Sequence, residues 1–407
     1  MLTCQSQVAV APPGTQACTL DIEKFHRTCP VLPDHKPWIV LQGCEGEFYI
    51  DHVHPFGLSS ASSNSGMIAN ASVDIWIAEE VEPILKFEDD LKIFRFPVEN
   101  GAFEENGYRY HYDRDEILRR IALLQIPWHP EKGDPYFSSV TTFIGLTWDL
   151  VQRHVYLPNQ KRMKFLRRVQ TFIASFNRQK CTLHDIDKIH GSLCYLTVVY
   201  LGGRSRLPSL SNFATKFQGN DYVELYPPRS LITDLRWWED ILSKEDFYRQ
   251  LTPRGPASNL CIYTDASTSW GIGVIIDGRW KAFRLSDNWK TEGRGICWLE
   301  TLGVEFVVHL LEAMGISNCQ VTIHSDNQGT IGSMGKGRSP NYHINLSVRR
   351  SYSVLLARSI TPSLVYVASA DNPADPISRG ELGKPGDILD AAFELPEELT
   401  DVFAYVY

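Results

Sequence analysis

The chain has 407 residues, 43% of them apolar and 11% aromatic, which is too long for one ordinary core, predicts two or three domains and excludes global disorder. The formal net charge of -8 argues against a protein whose main business is coating nucleic acid. The charge is uneven, however: residues 153–180 hold eight Lys/Arg and no acid, while 381–407 hold seven acids and one Lys, so a basic segment is free to bind phosphates while an acidic tail sets the total.

The nine cysteines are odd in number and form no CxxC pair. They read as free thiols in a reducing compartment, with no zinc site. No apolar run reaches the ~18 residues a bilayer needs. The N-terminus lacks the basic region and apolar core of a signal peptide. The expectation is a soluble intracellular protein, nuclear or cytoplasmic, without a membrane partner.

Residues 1–20 are short and punctuated by Pro and Gly. Residues 38–41 and 47–50 predict two strands joined by a Gly-Cys-Glu-Gly turn. Residues 60–82 predict a helix. Residues 86–96 predict a hairpin with Glu88, Asp89 and Asp90 at its tip. One helix is expected near 115–124 and another hairpin over 143–157. Residues 161–176 predict a basic amphipathic helix, helical patterns continue to about 210, and 234–242 predict a further helix. Thr252-Pro253-Arg254-Gly255-Pro256 is the clearest domain boundary.

Beyond it, strands are expected at 260–265, 270–276 and 279–283, the last two joined by the hairpin signal Asp277-Gly278. Residues 298–314 predict a helix, because Leu299, Leu302, Phe306, Leu310 and Met314 recur at helical spacing. A strand at 320–325, a helix, a Gly-rich loop, a longer helix, a strand at 363–367 and a last helix follow. That order gives an α/β arrangement with a mixed sheet.

Two of these strands end in an acid, Asp265 and Asp326, and one sheet brings such ends to one edge. Glu300 lies near the start of the intervening helix, offset from its apolar stripe. Asp375 stands before the last helix. Carboxylates converging without basic partners repel, and hard cations relieve that; oxygen-only sites suit Mg²⁺. Two metals about 4 Å apart activate a water and stabilise the leaving oxygen of a phosphodiester. Each acid alone has a plainer reading. Asp375 before Pro376 also fits a helix N-cap, Asp371 competes with it for the fourth place, and Glu305 competes with Glu300 from another face.

Residues 260–380 resemble the ribonuclease H domain of retrotransposon polyproteins. The resemblance is carried by Tyr263-Thr264-Asp265-Ala266-Ser267, Trp298-Leu299-Glu300, Ser325-Asp326-Asn327 and Asn372-Pro373-Ala374-Asp375-Pro376-Ile377-Ser378-Arg379. It implies that Asp265, Glu300, Asp326 and Asp375 hold two Mg²⁺ or Mn²⁺ ions and cleave the RNA strand of an RNA–DNA hybrid. It also implies that Asn327 contacts a 2′-hydroxyl. The family's His before the fourth acid is absent; Ser369 and Ala370 occupy that stretch, which implies altered product release. An integrase-like recombinase of the same fold is disfavoured, because there the order is Asp, Asp, Glu.

Upstream, residues 17–157 resemble a reverse transcriptase palm, nearest to the retrotransposon class that encodes a tyrosine recombinase. The matching motifs are Thr19-Leu20-Asp21-Ile22-Glu23-Lys24, His54-Pro55-Phe56-Gly57-Leu58-Ser59-Ser60-Ala61, Phe87-Glu88-Asp89-Asp90, Pro127-Trp128-His129 with Lys132, and Phe143-Ile144-Gly145. The resemblance implies that Asp21, Asp89 and Asp90 hold a second pair of metal ions. Phe56 and Gly57 would shape the template and nucleotide pocket, and Lys132 would donate a proton to pyrophosphate. Lys161, Arg162, Lys164, Arg167 and Arg168 fall where a thumb would meet duplex phosphates. The implied partners are an RNA template, a DNA primer and their hybrid.

Three departures point to weak or absent polymerisation: only 20 residues precede Asp21, so most of the fingers are missing; His26 stands where an aromatic gate is usual; and Glu88 adds charge at the hairpin tip. The expected fold class is α/β. An α+β palm-like domain spans 1–157, a helical thumb or connection 158–251, a ribonuclease H-like α/β domain with a mixed five-stranded sheet 257–380, and an acidic tail 381–407. The alternative function is a catalytically inactive remnant that only binds nucleic acid.

Overall fold

The computed structural model describes residues 2–55, 57–176, 178–291 and 293–407. They form two compact units, 1–162 with 246–253, and 163–245 with 254–407. Helices and strands are mixed in both, as an α/β chain requires. Among the described residues no helix is long and apolar enough to cross a membrane.

In the first unit a three-stranded antiparallel sheet places Asp90–Arg95 between Gln16–Asp21 and Ile84–Phe87. Every residue of Gln16–Asp21 is buried. The core joins Leu20, Leu91 and Ile93 of this sheet to Trp76 and Ile117. Trp76 comes from the helix Ala61–Ala78, and its indole N–H donates to Ile117 O at 2.7 Å. The helix stops short of residue 82 because Glu80 turns left-handed (φ 63) and Pro83 follows.

A second sheet contains Val140–Phe143, Leu146–Asp149, His154–Tyr156 and Arg249–Gln250. Its tight turn is Ile144-Gly145, both at positive φ, so the hairpin expected over 143–157 begins earlier and carries an additional strand. The short ribbon of Val40–Gln42 against Phe48–Ile50 forms as the sequence predicts, with all six residues exposed.

In the second unit, one six-stranded sheet runs in the order Thr361–Tyr366, Gln320–Ser325, Ile262–Ala266, Gly271–Ile276, Arg279–Leu285, Phe403–Val406. The first three strands are parallel and the rest antiparallel. The Asp277-Gly278 turn has φ 51 and 76, the two left-handed residues that a two-residue hairpin needs. The sheet therefore has six strands rather than five. The extra one lies in the acidic C-terminal segment, where Leu389, Leu399, Val402 and Phe403 are buried in the same core.

The helix Ile296–Ala313 is buried along most of its length. It lies hard against the sheet at Gly303, where a Cβ would stand 2.3 Å from Thr264 Oγ1. Also in this unit, the helix Leu183–Leu196 starts with a reciprocal capping box between Thr182 and Asp185. Asp234, from the helix Arg229–Ser243, accepts from Arg206 and from Arg349 of the helix Tyr342–Ala357, each at 3.1 Å.

Candidate active site

The parallel pairing Ile262↔Ile323 and Tyr263↔His324, continued by two residues, brings Asp265 level with Asp326. Glu300 reaches the same point from the first turns of its helix, held by the Ala266 N–H donating to Oε1 at 3.2 Å. One oxygen from each of Asp265, Glu300 and Asp326 lies within 4.8 Å of the others, the one such acidic group among the described residues. Asp265 and Glu300 are buried and Asp326 is half-buried.

The electrostatics follow from this crowding. Burial, then Asp265 and Asp326, push the Glu300 carboxyl up to about 9. Burial also raises Asp265 to about 6, against the opposing effect of the Ser378 hydroxyl, which donates to Oδ2. Glu300 Oε2 is buried without a hydrogen-bond partner. An orphaned carboxylate oxygen facing two further acids, in an all-oxygen donor set, fits Mg²⁺ or Mn²⁺.

Asp375 is not among the three. It opens the short helix Asp375–Ser378, and both of its oxygens accept from Arg379: Nε at 2.9 Å and Nη2 at 2.8 Å. That guanidinium holds the Asp375 carboxyl below its usual range. The N-cap position is Ala374, with no side-chain bond, so the capping role considered for Asp375 is not used. Asp371 is exposed in a 3-10 turn. Glu305 is fully buried and doubly bonded by Arg350 at 2.5 and 2.9 Å, a structural pair. Asn327 Oδ1 caps the next helix by accepting from Thr330 N at 3.0 Å.

In the first unit, Asp21 and Asp90 are direct cross-strand partners, and Asp89 sits at the hairpin tip, its carbonyl accepting from Ile22 N at 3.2 Å. Asp21 is buried, its Oδ1 lacks a hydrogen bond, and Lys132 Nζ stands 3.6 Å away. Burial, then Asp89 and Asp21, raise the Asp90 carboxyl. The three acids are neighbours without converging as tightly as the other set. Gly57 has φ 89 with open space where a Cβ would lie. Phe56 falls outside the described residues.

The basic helix, Asn159–Phe176, divides its cations. Lys161, Lys164 and Arg167 are exposed. Arg162 is buried and donates to Asn159 Oδ1 at 2.7 Å. Arg168 donates to Ser192 Oγ. Two residues at the acidic triad had no role in the sequence reading, Ser378 and Arg379. Their signal there is membership of the motif that ends in Ser378-Arg379, which by itself implies neither contact.

No protein-family model and no curated protein matches the chain. Among solved structures it is similar to a foamy viral protease-reverse transcriptase dRH in complex with double-stranded DNA, at TM-score 0.42 and 15% identity over 88% of this chain and 58% of that one. The foamy viral protease-reverse transcriptase with double-stranded DNA gives 0.42 and 14%, over 89% and 69% of the two chains. The same protein with an RNA/DNA hybrid gives 0.33 and 13%, over 93% and 69%. The chain thus spans 58% of the length of the first of these.

Proposed function

We propose that the second unit is a divalent-metal nuclease of ribonuclease H type that hydrolyses the RNA strand of RNA–DNA hybrids. What supports this reading is the triad of Asp265, Glu300 and Asp326 at the ends of two parallel strands and the start of a helix, with the orphaned Glu300 Oε2 among them. Bound Mg²⁺ or Mn²⁺ would supply an activated water and neutralise charge on the phosphodiester. The chain's own part is placement: Ala266 N–H orients Glu300, and Ser378 fixes Asp265. The choice of hybrid as substrate rests on the sequence motifs around these residues. The Asp21, Asp89 and Asp90 region is read as a reverse transcriptase palm weakened by His26 in place of an aromatic gate and by the added charge of Glu88 at the hairpin tip.

The test is a labelled RNA–DNA hybrid with Mg²⁺ or Mn²⁺, wild type against Asp265→Asn. The expected result is RNA cleavage by wild type, a loss of roughly 100-fold or more in the variant, and no robust primer extension by either. Wild type that leaves the hybrid intact would favour a binding remnant. Vigorous primer extension would overturn the impaired-palm reading.

A further inference from the structure

The Asp375–Ser378 turn is seated tightly on the sheet. Gly273, the cross-strand partner of Asp265, makes room for it: a Cβ there would lie 2.7 Å from Ala374 O and 2.8 Å from Ser378 N. Ser378 ties this turn to Asp265 from the other side. The backbone of the turn is thereby fixed, and the freedom left at Asp375 is rotation of its side chain. That side chain is gripped at both oxygens by the Arg379 fork, and Ser369 Oγ approaches Oδ1 at 3.4 Å. The Arg379 side chain is more than half exposed, so a phosphate has access to it.

We infer that Arg379 is a latch on the nuclease site. In the free protein it keeps the Asp375 carboxylate in an ion pair, so a second divalent cation gains that ligand only when Arg379 leaves. A phosphodiester draws Arg379 away, because a guanidinium forks onto phosphate as well as onto carboxylate. Charges then balance by exchange of partners: guanidinium to phosphate, carboxylate to cation. Second-cation binding and hybrid binding are coupled, and each strengthens the other by the same factor. Arg379 acts here as a positioning residue, and this role rests on the metal-site reading above.

The test is Mn²⁺ binding, counted as free ion by electron paramagnetic resonance, with and without a non-cleavable hybrid whose RNA strand is 2′-O-methylated. Wild type is expected to bind one ion more tightly than the second, and the hybrid to strengthen the second. Arg379→Gln should strengthen the second ion roughly threefold to fivefold without hybrid, the scale of an exposed ion pair, and lose most of the hybrid's effect. Arg379→Lys, which keeps charge without the fork, should fall between. If Arg379→Gln and Arg379→Lys both bind Mn²⁺ as wild type does while Asp265→Asn loses it, the latch alone is overturned. If Asp265→Asn also binds as wild type does, the metal-site reading falls and the latch with it.

Discussion

On the proposed nuclease reading, Glu300 is the residue on which folding and metal binding pull in opposite directions. Its carboxyl is pushed up to about 9 by burial and by Asp265 and Asp326, from an ordinary value of 4.5. Between those two values the native state holds a proton that the unfolded chain releases. Stability of the metal-free protein therefore falls as pH rises from about 4.5 towards 9. Asp265, raised to about 6, adds to the loss in the lower part of that window. In EDTA the unfolding midpoint of the second unit should be lower at pH 8 than at pH 5.5, and Mg²⁺ or Mn²⁺ at pH 8 should restore it. Glu300→Gln removes the need to bind a proton on folding and presents an amide to two carboxylates. It should flatten the pH dependence and raise the metal-free midpoint at pH 8 by ~2–4 °C, about 1 kcal/mol for a unit of this size, while abolishing hybrid cleavage. An unchanged pH profile in the variant would show that Glu300 is not the group responsible.

The elements that present the triad were legible in the sequence where periodicity is strong. The strand Gln320–Ser325 and the hairpin at Asp277-Gly278 fall where alternation and turn chemistry put them. Asp265 and Glu300 converge because strand ends and a helix start are places the sequence marks. Less legible was how close the helix lies to the sheet, since a glycine inside an apolar helix does not say which neighbour it admits. Gly303 stands one turn after Glu300, and its missing Cβ is replaced by the hydroxyl of Thr264, the residue before Asp265. Thr264 is fully buried and β-branched, and its Oγ1 has no hydrogen-bond partner, so it has little room to turn away. Alanine is the better helix former by about 1 kcal/mol, yet overpacking costs ~1–3 kcal/mol. Gly303→Ala should therefore destabilise on balance, by about 1 kcal/mol. Adding Thr264→Ala should reverse the sign, with a coupling of roughly 1–2 kcal/mol in the double-mutant cycle. Denaturant midpoints decide it: Gly303→Ala more stable than wild type on its own would mean the helix has slack against the sheet.

At the scale of the whole chain, sequence and structure part company most at the C-terminus. Residues 381–407 read as an acidic tail because they hold seven acids against one Lys, and their apolar residues follow neither helical nor strand spacing for long. Burial there is set residue by residue against a core built more than a hundred positions earlier, and a local pattern does not carry that information. Leu389, Leu399, Val402 and Phe403 close the core, and Phe403–Val406 covers the outer edge of Arg279–Leu285, an edge that would otherwise be open to another chain. The ring of Phe403 lies 5.2 Å from that of Phe306, on the Glu300 helix, and 6.2 Å from that of Phe283. The last strand thus buttresses the helix that carries Glu300. Phe403→Ala should cost about 3 kcal/mol, a fall of ~6–12 °C in the midpoint of the second unit. Tyr405→Ala, on the same strand with its ring exposed, should change stability by less than about 0.5 kcal/mol. Hybrid cleavage at 25 °C should survive Phe403→Ala and fail at a lower temperature than in wild type. Equal, small effects from both substitutions would mean that the C-terminal strand contributes no core in solution and that the five remaining strands suffice for the fold.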